Sequence, residues 1–410
     1  MRIPPIQPAA GEDHDSKMAN TQNAVTKSAT KYPPEFELLL CCARTAPDLP
    51  RITALVDAGI DWHLFFSLVS AHGLRPLVYK ALRPLCWNLL PSDIQSEWRT
   101  VCEFISGRAL FATGELLRIA QAASAAQIPI AALKGLVFGQ MLYGDVTLRE
   151  FSDLDLLVHD VDFFRAVEFL ERLGYDLFWN QGSRHVKQFQ RYVGECKLRN
   201  RDLETEIDLH WRVATKATAL APALSDFPAG FQPVSIAGST ALCFAPGDLP
   251  LYLAAQGGWD QWCELRRICD LSEFLRRYPQ LDWQPSLAAA RRLGGLRSML
   301  IGLVLASRLF DAPLPAPALP LIQRDPAVAG LADDAILKLL LNHNPSDAIS
   351  RYRFQLKAKQ GLAGKLSLLW SIFAERTAED AAWLMLPRPL WWLYPILRPL
   401  RIASKIFNRA

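Results

Sequence analysis

From residue 35 to about residue 127, apolar side chains recur every three or four positions, as in Leu64, Phe65, Leu68 and Val69 and again in Leu116, Leu117, Ile119 and Ala120. That period matches one face of an α-helix and leaves no alternation, so this region is expected to be all-helical. The pattern then changes. Residues 128–133 form a short apolar run closed by Gly135, residues 154–158 form another, and 161–173 returns to helical spacing before Gly174. Strand, strand, helix is the expectation. Extended segments at 175–179, 186–198 and 204–211 follow, and beyond Pro250 the helical period resumes through 251–275, 286–310, 335–341 and 362–374, with a proline-rich break at 312–320. The expected fold class is α+β, a small mixed β-sheet core flanked by N-terminal helices and a mostly helical C-terminal domain. Five segments are expected: a disordered tail over 1–34, N-terminal helices over 35–127, the core over 128–248, the helical domain over 249–376 and an apolar, basic segment over 377–410.

Composition narrows the class without choosing a function. The chain has 410 residues, half of them apolar and 21% charged, which fits a globular protein of about two structured domains. Its 45 basic residues nearly balance 41 acidic ones, so nothing predicts nucleic acid as a partner and any polyanion site must be local. The eight cysteines show no zinc-ligand spacing. No apolar stretch resembles a signal peptide, which makes the cytoplasm the expected compartment. The most apolar stretch, 383–400, is interrupted by Arg388, Arg398 and four prolines, so no spanning helix is expected. Trp391, Trp392, Tyr394 and the basic, apolar run 398–407 leave peripheral contact with a membrane surface open.

The chemistry concentrates in Arg149-Glu-Phe-Ser-Asp-Leu-Asp-Leu-Leu-Val158. In an extended chain alternate side chains share a face, so Asp153 and Asp155 are expected to project together while Leu154 and Leu156 enter the core. Two adjacent carboxylates repel, and a divalent cation relieves them; magnesium suits oxygen ligands and bridges carboxylates to phosphates. In Glu204-Thr-Glu-Ile-Asp-Leu-His-Trp211 the same alternation puts Glu204, Glu206, Asp208 and His210 on one face. If this strand neighbours the first, Asp208 completes a three-carboxylate cluster able to hold two ions, with Asp208 as ligand and general base. For Glu206 a solvated charge is the simpler role, and His210 is open between a structural hydrogen bond and substrate contact. Upstream, Lys134 and Gly135 end an apolar run as a candidate phosphate cradle, Arg149 is a second candidate phosphate clamp, and Ser152 joins them in the expected nucleotide-binding set. No Walker A or GxGxxG sequence follows an expected strand.

These residues resemble the bacterial nucleotidyltransferase family, a largely uncharacterised branch of the DNA polymerase β-like superfamily. The likeness runs from about Asp61 to Lys405. It includes Asp61-Trp62, His72-Gly-Leu-Arg-Pro-Leu77, Leu133-Lys-Gly135, Arg149, Phe151-Ser-Asp-Leu-Asp-Leu-Leu-Val158, Asp208-Leu-His-Trp211, Asp270, Leu386-Pro387, Tyr394 and Arg398-Pro-Leu-Arg401. The resemblance implies a mixed sheet carrying Asp153 and Asp155 on one strand and Asp208 on a neighbour, and magnesium-dependent transfer of a nucleoside monophosphate from an NTP to an acceptor. Two departures are visible: Lys134-Gly135 replaces the superfamily's Gly-Ser or Gly-Gly loop, and Gln256 and Asp260 stand where relatives are expected to carry histidines. The atypical loop makes a regulatory nucleotide-binding protein without turnover the alternative. A nucleotide-sugar glycosyltransferase is the enzymatic runner-up, although its Asp-x-Asp ends an apolar strand whereas here the apolar run follows the motif.

Overall fold

The computed structural model describes residues 32–178, 194–203, 205–342, 348–374, 383, 384, 390, 393, 394 and 396–398. The expectation of a disordered tail therefore falls almost wholly outside the described residues, as do Glu204, Trp391 and Trp392. Five helices open the structure: α1 (Pro34–Cys42), α2 (Leu49–Ala58), α3 (Trp62–Ala71), α4 (Arg75–Cys86) and the long α5 (Ser92–Ala125). Their starts have local causes. The Asp48 carboxylate accepts from the Arg51 amide at 3.1 Å and the Asp61 carboxylate from the Leu64 amide at 3.0 Å, satisfying amides that a first turn leaves without partners.

After α5 come β1 (Ala131–Ala132), α6 (Gly135–Tyr143), β2 (Leu154–Leu157), α7 (Phe163–Arg172), β3 (Tyr175–Phe178), β4 (Glu195–Asn200), β5 (Glu206–His210), β6 (Phe231–Ile236) and β7 (Ser239–Phe244). They form one seven-stranded sheet in the order β3-β4-β5-β2-β1-β7-β6. β2 and β5 run parallel at its centre, whereas β4 is antiparallel to β5 and β1 antiparallel to β2. The sheet is mixed and the class is α+β. The hairpin β6–β7 is additional to the strands expected from the sequence: its turn puts Ala237 and Gly238 at φ 48° and 77°, and alanine in the first turn position hides the usual Asn-Gly signal.

Eight helices follow: α8 (Leu249–Trp259), α9 (Leu265–Arg277), α10 (Gln284–Arg292), α11 (Leu296–Phe310), α12 (Leu319–Arg324), α13 (Ala327–Leu340), α14 (Ala348–Ala358) and α15 (Leu362–Ala374). The run 251–275, expected as one helix, is broken at 260–264, where Gln261 and Trp262 both adopt φ 58°. The break turns the Trp262 ring onto backbone. A Cβ added at Gly257 would lie 2.3 Å from that ring and one at Gly302 2.2 Å, so glycines make room for it. One continuous apolar core runs from Phe36 to Ala358 and joins the helices to the sheet. Among the described residues no helix is long and apolar enough to cross a membrane.

Two ion pairs, one buried and one half-buried, fix the segment that leads into β2. Arg149 donates to both Asp270 carboxylate oxygens, at 2.8 to 3.1 Å, and Glu150 accepts from the Arg75 amide at 2.8 Å as well as from its guanidinium. Arg266 donates to the Glu150 carbonyl at 3.0 Å. Helices α4 and α9 thus grip the chain just ahead of Asp153.

Candidate active site

The parallel pairing of β2 with β5 sets Asp155 opposite Asp208 and Leu154 opposite Ile207. Because the side-chain period of a strand is two, both carboxylates share one face while Leu154, Leu156, Ile207 and Leu209 enter the core on the other. Asp155 is 4% exposed and Asp208 9%, so two like charges sit side by side with little water to screen them. Such a pair needs cations.

Side chains supply part of that charge. The Lys134 ammonium lies 3.0 Å from Asp155 Oδ1, carried there by the turn from β1 into α6, in which Lys134 and Gly135 take φ 28° and 50°. Glycine suits this left-handed backbone and lysine does not, so strain is stored beside the carboxylates. His210 Nε2 lies 3.0 Å from the same Asp155 oxygen and Nδ1 lies 3.1 Å from Glu195 Oε2. With a carboxylate on each ring nitrogen the imidazole is held as a cation: burial alone would lower its pKa, but the two bonds lift it to about 9. Burial also opposes the Asp155 charge, yet the His210 bond and the Lys134 charge hold its pKa down at about 2. Asp208 fares differently. Burial, reinforced by the Asp153 charge, pushes it up to about 6 against the Lys197 ammonium 3.0 Å away.

Lys197 also reaches within 3.9 Å of Asp153 Oδ2, so one ammonium bridges Asp153 and Asp208. Half of its side chain is exposed, and it belongs to β4, where register sets it opposite Asp208. The residues present fit a divalent cation. Single ligand atoms of Asp155, Asp208 and His210 lie within 4.8 Å of one another, and Asp208 Oδ1 is buried with no aligned hydrogen bond among the described residues. Asp153 stands outside that group and is tied to it through Lys197. Because His210 offers both ring nitrogens as donors here, the aspartates are the better ligands and His210 their counter-ion.

Two clefts meet the carboxylates. One of about 440 Å³ is lined by Lys134, Asp155, Asp208 and His210, with Arg212, Arg398, Trp259 and Tyr352 around them. The other, about 330 Å³, is lined by Ser152, Asp153 and Glu206 together with Phe104, Arg108 and Phe111 of α5. Ser152 donates to Asp153 Oδ1 at 3.0 Å, and its carbonyl accepts from Arg108. Glu206 is paired with Arg199 at 3.0 Å on the neighbouring strand. Arg149, expected as a phosphate clamp, is placed otherwise: its buried guanidinium faces Asp270 and lines neither cleft. Of the positions expected to carry histidines, Gln256 donates to the Val213 carbonyl at 3.3 Å and Asp260 pairs with Arg267 at 2.9 Å.

Lys197, Glu195 and Arg212 are the site residues that the sequence reading did not single out. The available signal was the alternation of Glu195 and Lys197 in 186–198, continued by Arg199; what it lacked was the strand that Lys197 would face.

A search of curated proteins found no match. The profile of a family described as "uncharacterised nucleotidyltransferase" matches residues 58–311, from the end of α2 to the end of α11, and so takes in both carboxylate strands and the whole sheet. More than half of the chain is covered, with the acidic pair at the centre of the match, and the chain belongs to this nucleotidyltransferase family.

Proposed function

We propose that the protein moves a nucleoside monophosphate from an NTP to a hydroxyl-bearing acceptor, using magnesium held by Asp155, Asp208 and Asp153. The observation that carries the reading is the register pair Asp155–Asp208 on parallel strands, lining the first cleft, while Asp153 of the same motif lines the second. A transferase must bring two substrates to one phosphorus from opposite sides. The cleft containing Lys134, Arg212 and Arg398 suits the polyphosphate, and Tyr352 and Trp259 offer rings for the base. The cleft beside Asp153 suits the acceptor.

In this scheme Lys134 holds phosphate oxygens, and Asp208, whose pKa is near 6, takes the proton of the acceptor hydroxyl. The acceptor oxygen then bonds to the α-phosphorus as the bond to the β-phosphate oxygen breaks, releasing pyrophosphate. Magnesium, one ion or two, would neutralise the polyphosphate and lower the pKa of the hydroxyl. Lys197 must release Asp153 and Asp208 for that binding.

The test is to incubate wild type and Asp155→Asn with α-labelled NTPs, magnesium and fractionated cell extract. Labelled product with pyrophosphate from wild type, and a loss of roughly 10²-fold or more in the variant, is the expected outcome. Nucleotide binding without product across all fractions would replace the enzyme by a regulatory protein on the same scaffold, the reading favoured by the Lys134-Gly135 loop. Release of a nucleoside diphosphate from nucleotide sugars would point to glycosyl transfer instead.

A further inference from the structure

Helix α15 buries Leu368 and Ile372 inward, yet its outer face is apolar as well. Leu362, Leu366 and Trp370 follow one another at four-residue spacing, 76%, 58% and 71% exposed, and Phe373 continues the stripe at 42%. A helix whose water-facing side carries a large apolar stripe as well as its packed side marks an interface. Just beyond it, Trp383, Leu384, Leu390 and Ile396 are exposed too.

Charge indicates what that face meets. Residues 348–374, which make up α14 and α15, contain Arg351, Arg353, Lys357, Lys359 and Lys365 and no acidic residue. Some of this charge is used internally: Lys359 donates to the carbonyls of Ala219 and Leu293, and Arg351 lies over the Trp259 ring. Arg353 and Lys357 are exposed, although Lys357 lies 3.5 Å from Asp334. The remaining sequence, 375–410, adds six basic residues against three acidic ones, Arg398 among the six being buried in the cleft beside Asp155. The end of the chain is therefore strongly cationic in a protein whose net charge is only +4, and the rest of the molecule is net acidic.

We propose that the α15 face docks on an anionic lipid bilayer surface, lying in its interface rather than crossing it. Leucine, phenylalanine and tryptophan side chains enter the headgroup boundary while nearby lysines and arginines meet lipid phosphates, the two signals that interfacial helices combine. A second copy of this chain would bring the same cationic end and gain nothing from it; a negatively charged bilayer uses both features. This inference is independent of the chemistry at Asp155 and Asp208.

The test is flotation of the full chain with phosphatidylglycerol-containing vesicles and with pure phosphatidylcholine vesicles. Wild type is expected to float with the anionic vesicles only, and less at high salt. Leu366→Glu/Trp370→Glu should keep its circular dichroism, because both residues are exposed, and lose about tenfold in bound fraction. Leu366→Lys/Trp370→Lys should lose binding too; if it floats as well as wild type, charge alone attracts the protein and the stripe is not the docking face. Wild type that stays with the unbound fraction overturns the proposal. So does a stripe-dependent dimer in light scattering with no flotation, which would make the face a contact between copies of this chain.

Discussion

At the scale of single residues, the site is a problem in charge balance. Asp155 has two close cationic partners, whereas among the described residues Asp208 and Asp153 share Lys197. That ammonium stands where a metal would neutralise the same oxygens, so the two compete. Lys197→Met is expected to tighten magnesium or manganese binding severalfold while leaving the fold intact, as read by isothermal titration; weaker binding would mean that Lys197 helps to assemble the site. His72, part of the His72-to-Leu77 motif, has a different role. It is buried against Phe36, its Nε2 has no hydrogen-bond partner among the described residues, and burial lowers its pKa below the ordinary 6.5 against a bond to the Leu339 backbone. Below 6.5 the unfolded chain binds a proton that the folded chain resists, so the stability tied to this group is complete above 6.5 and declines as pH falls. Thermal midpoints of wild type should therefore drop more between roughly pH 7 and pH 5.5 than those of His72→Leu, and parallel curves would contradict this. That Asp155 and Asp208 share a face was legible in the sequence because alternation on a strand is local, whereas Asp153 precedes the strand and lines the other cleft. Lys197 and the true place of Arg149 were not legible, since each is defined by a partner far away in the chain.

Elements act as clamps on that chemistry. The Arg149–Asp270 pair couples α9 to the segment that enters β2, and the Tyr143 hydroxyl donates to Asp270 at 2.9 Å from α6, which itself starts beside Lys134. One aspartate thus braces both the lysine-bearing turn and the carboxylate strand. Asp270→Ala would leave a buried guanidinium with no counter-charge, which costs about 3–5 kcal/mol. Denaturant unfolding should show that loss, and an effect below about 1 kcal/mol would mean that the pair is easily replaced by water. The helical regions and the central strands could be read from periodicity because each carries its signal within about a dozen residues. The β6–β7 hairpin and the break at 260–264 escaped that reading for one reason. Both depend on positive φ at residues other than glycine, at Ala237, Gln261 and Trp262, where tertiary packing overrides local preference.

Across the whole molecule, the apolar core does not stop at the borders suggested by the sequence pattern. Buried side chains of α1, α5, the sheet, α11 and α14 belong to one cluster, and Glu273 of α9 accepts from the Thr45 hydroxyl that follows α1 at 2.5 Å. A shared core predicts shared unfolding, because no layer can open without exposing apolar surface of the next. Far-UV circular dichroism, dominated by helix, and near-UV signals from buried tryptophans such as Trp98 and Trp262 should therefore give the same midpoint. Asp270→Ala should lower both together. An NTP with magnesium, bound only at the sheet, should raise both together by mass action, about 2.7 kcal/mol at a hundredfold excess over Kd. Two separated transitions, or a nucleotide that shifts the near-UV midpoint alone, would show that the helices fold as a unit independent of the sheet, and the clamps at Arg149 and Glu150 would then be contacts between bodies rather than part of one.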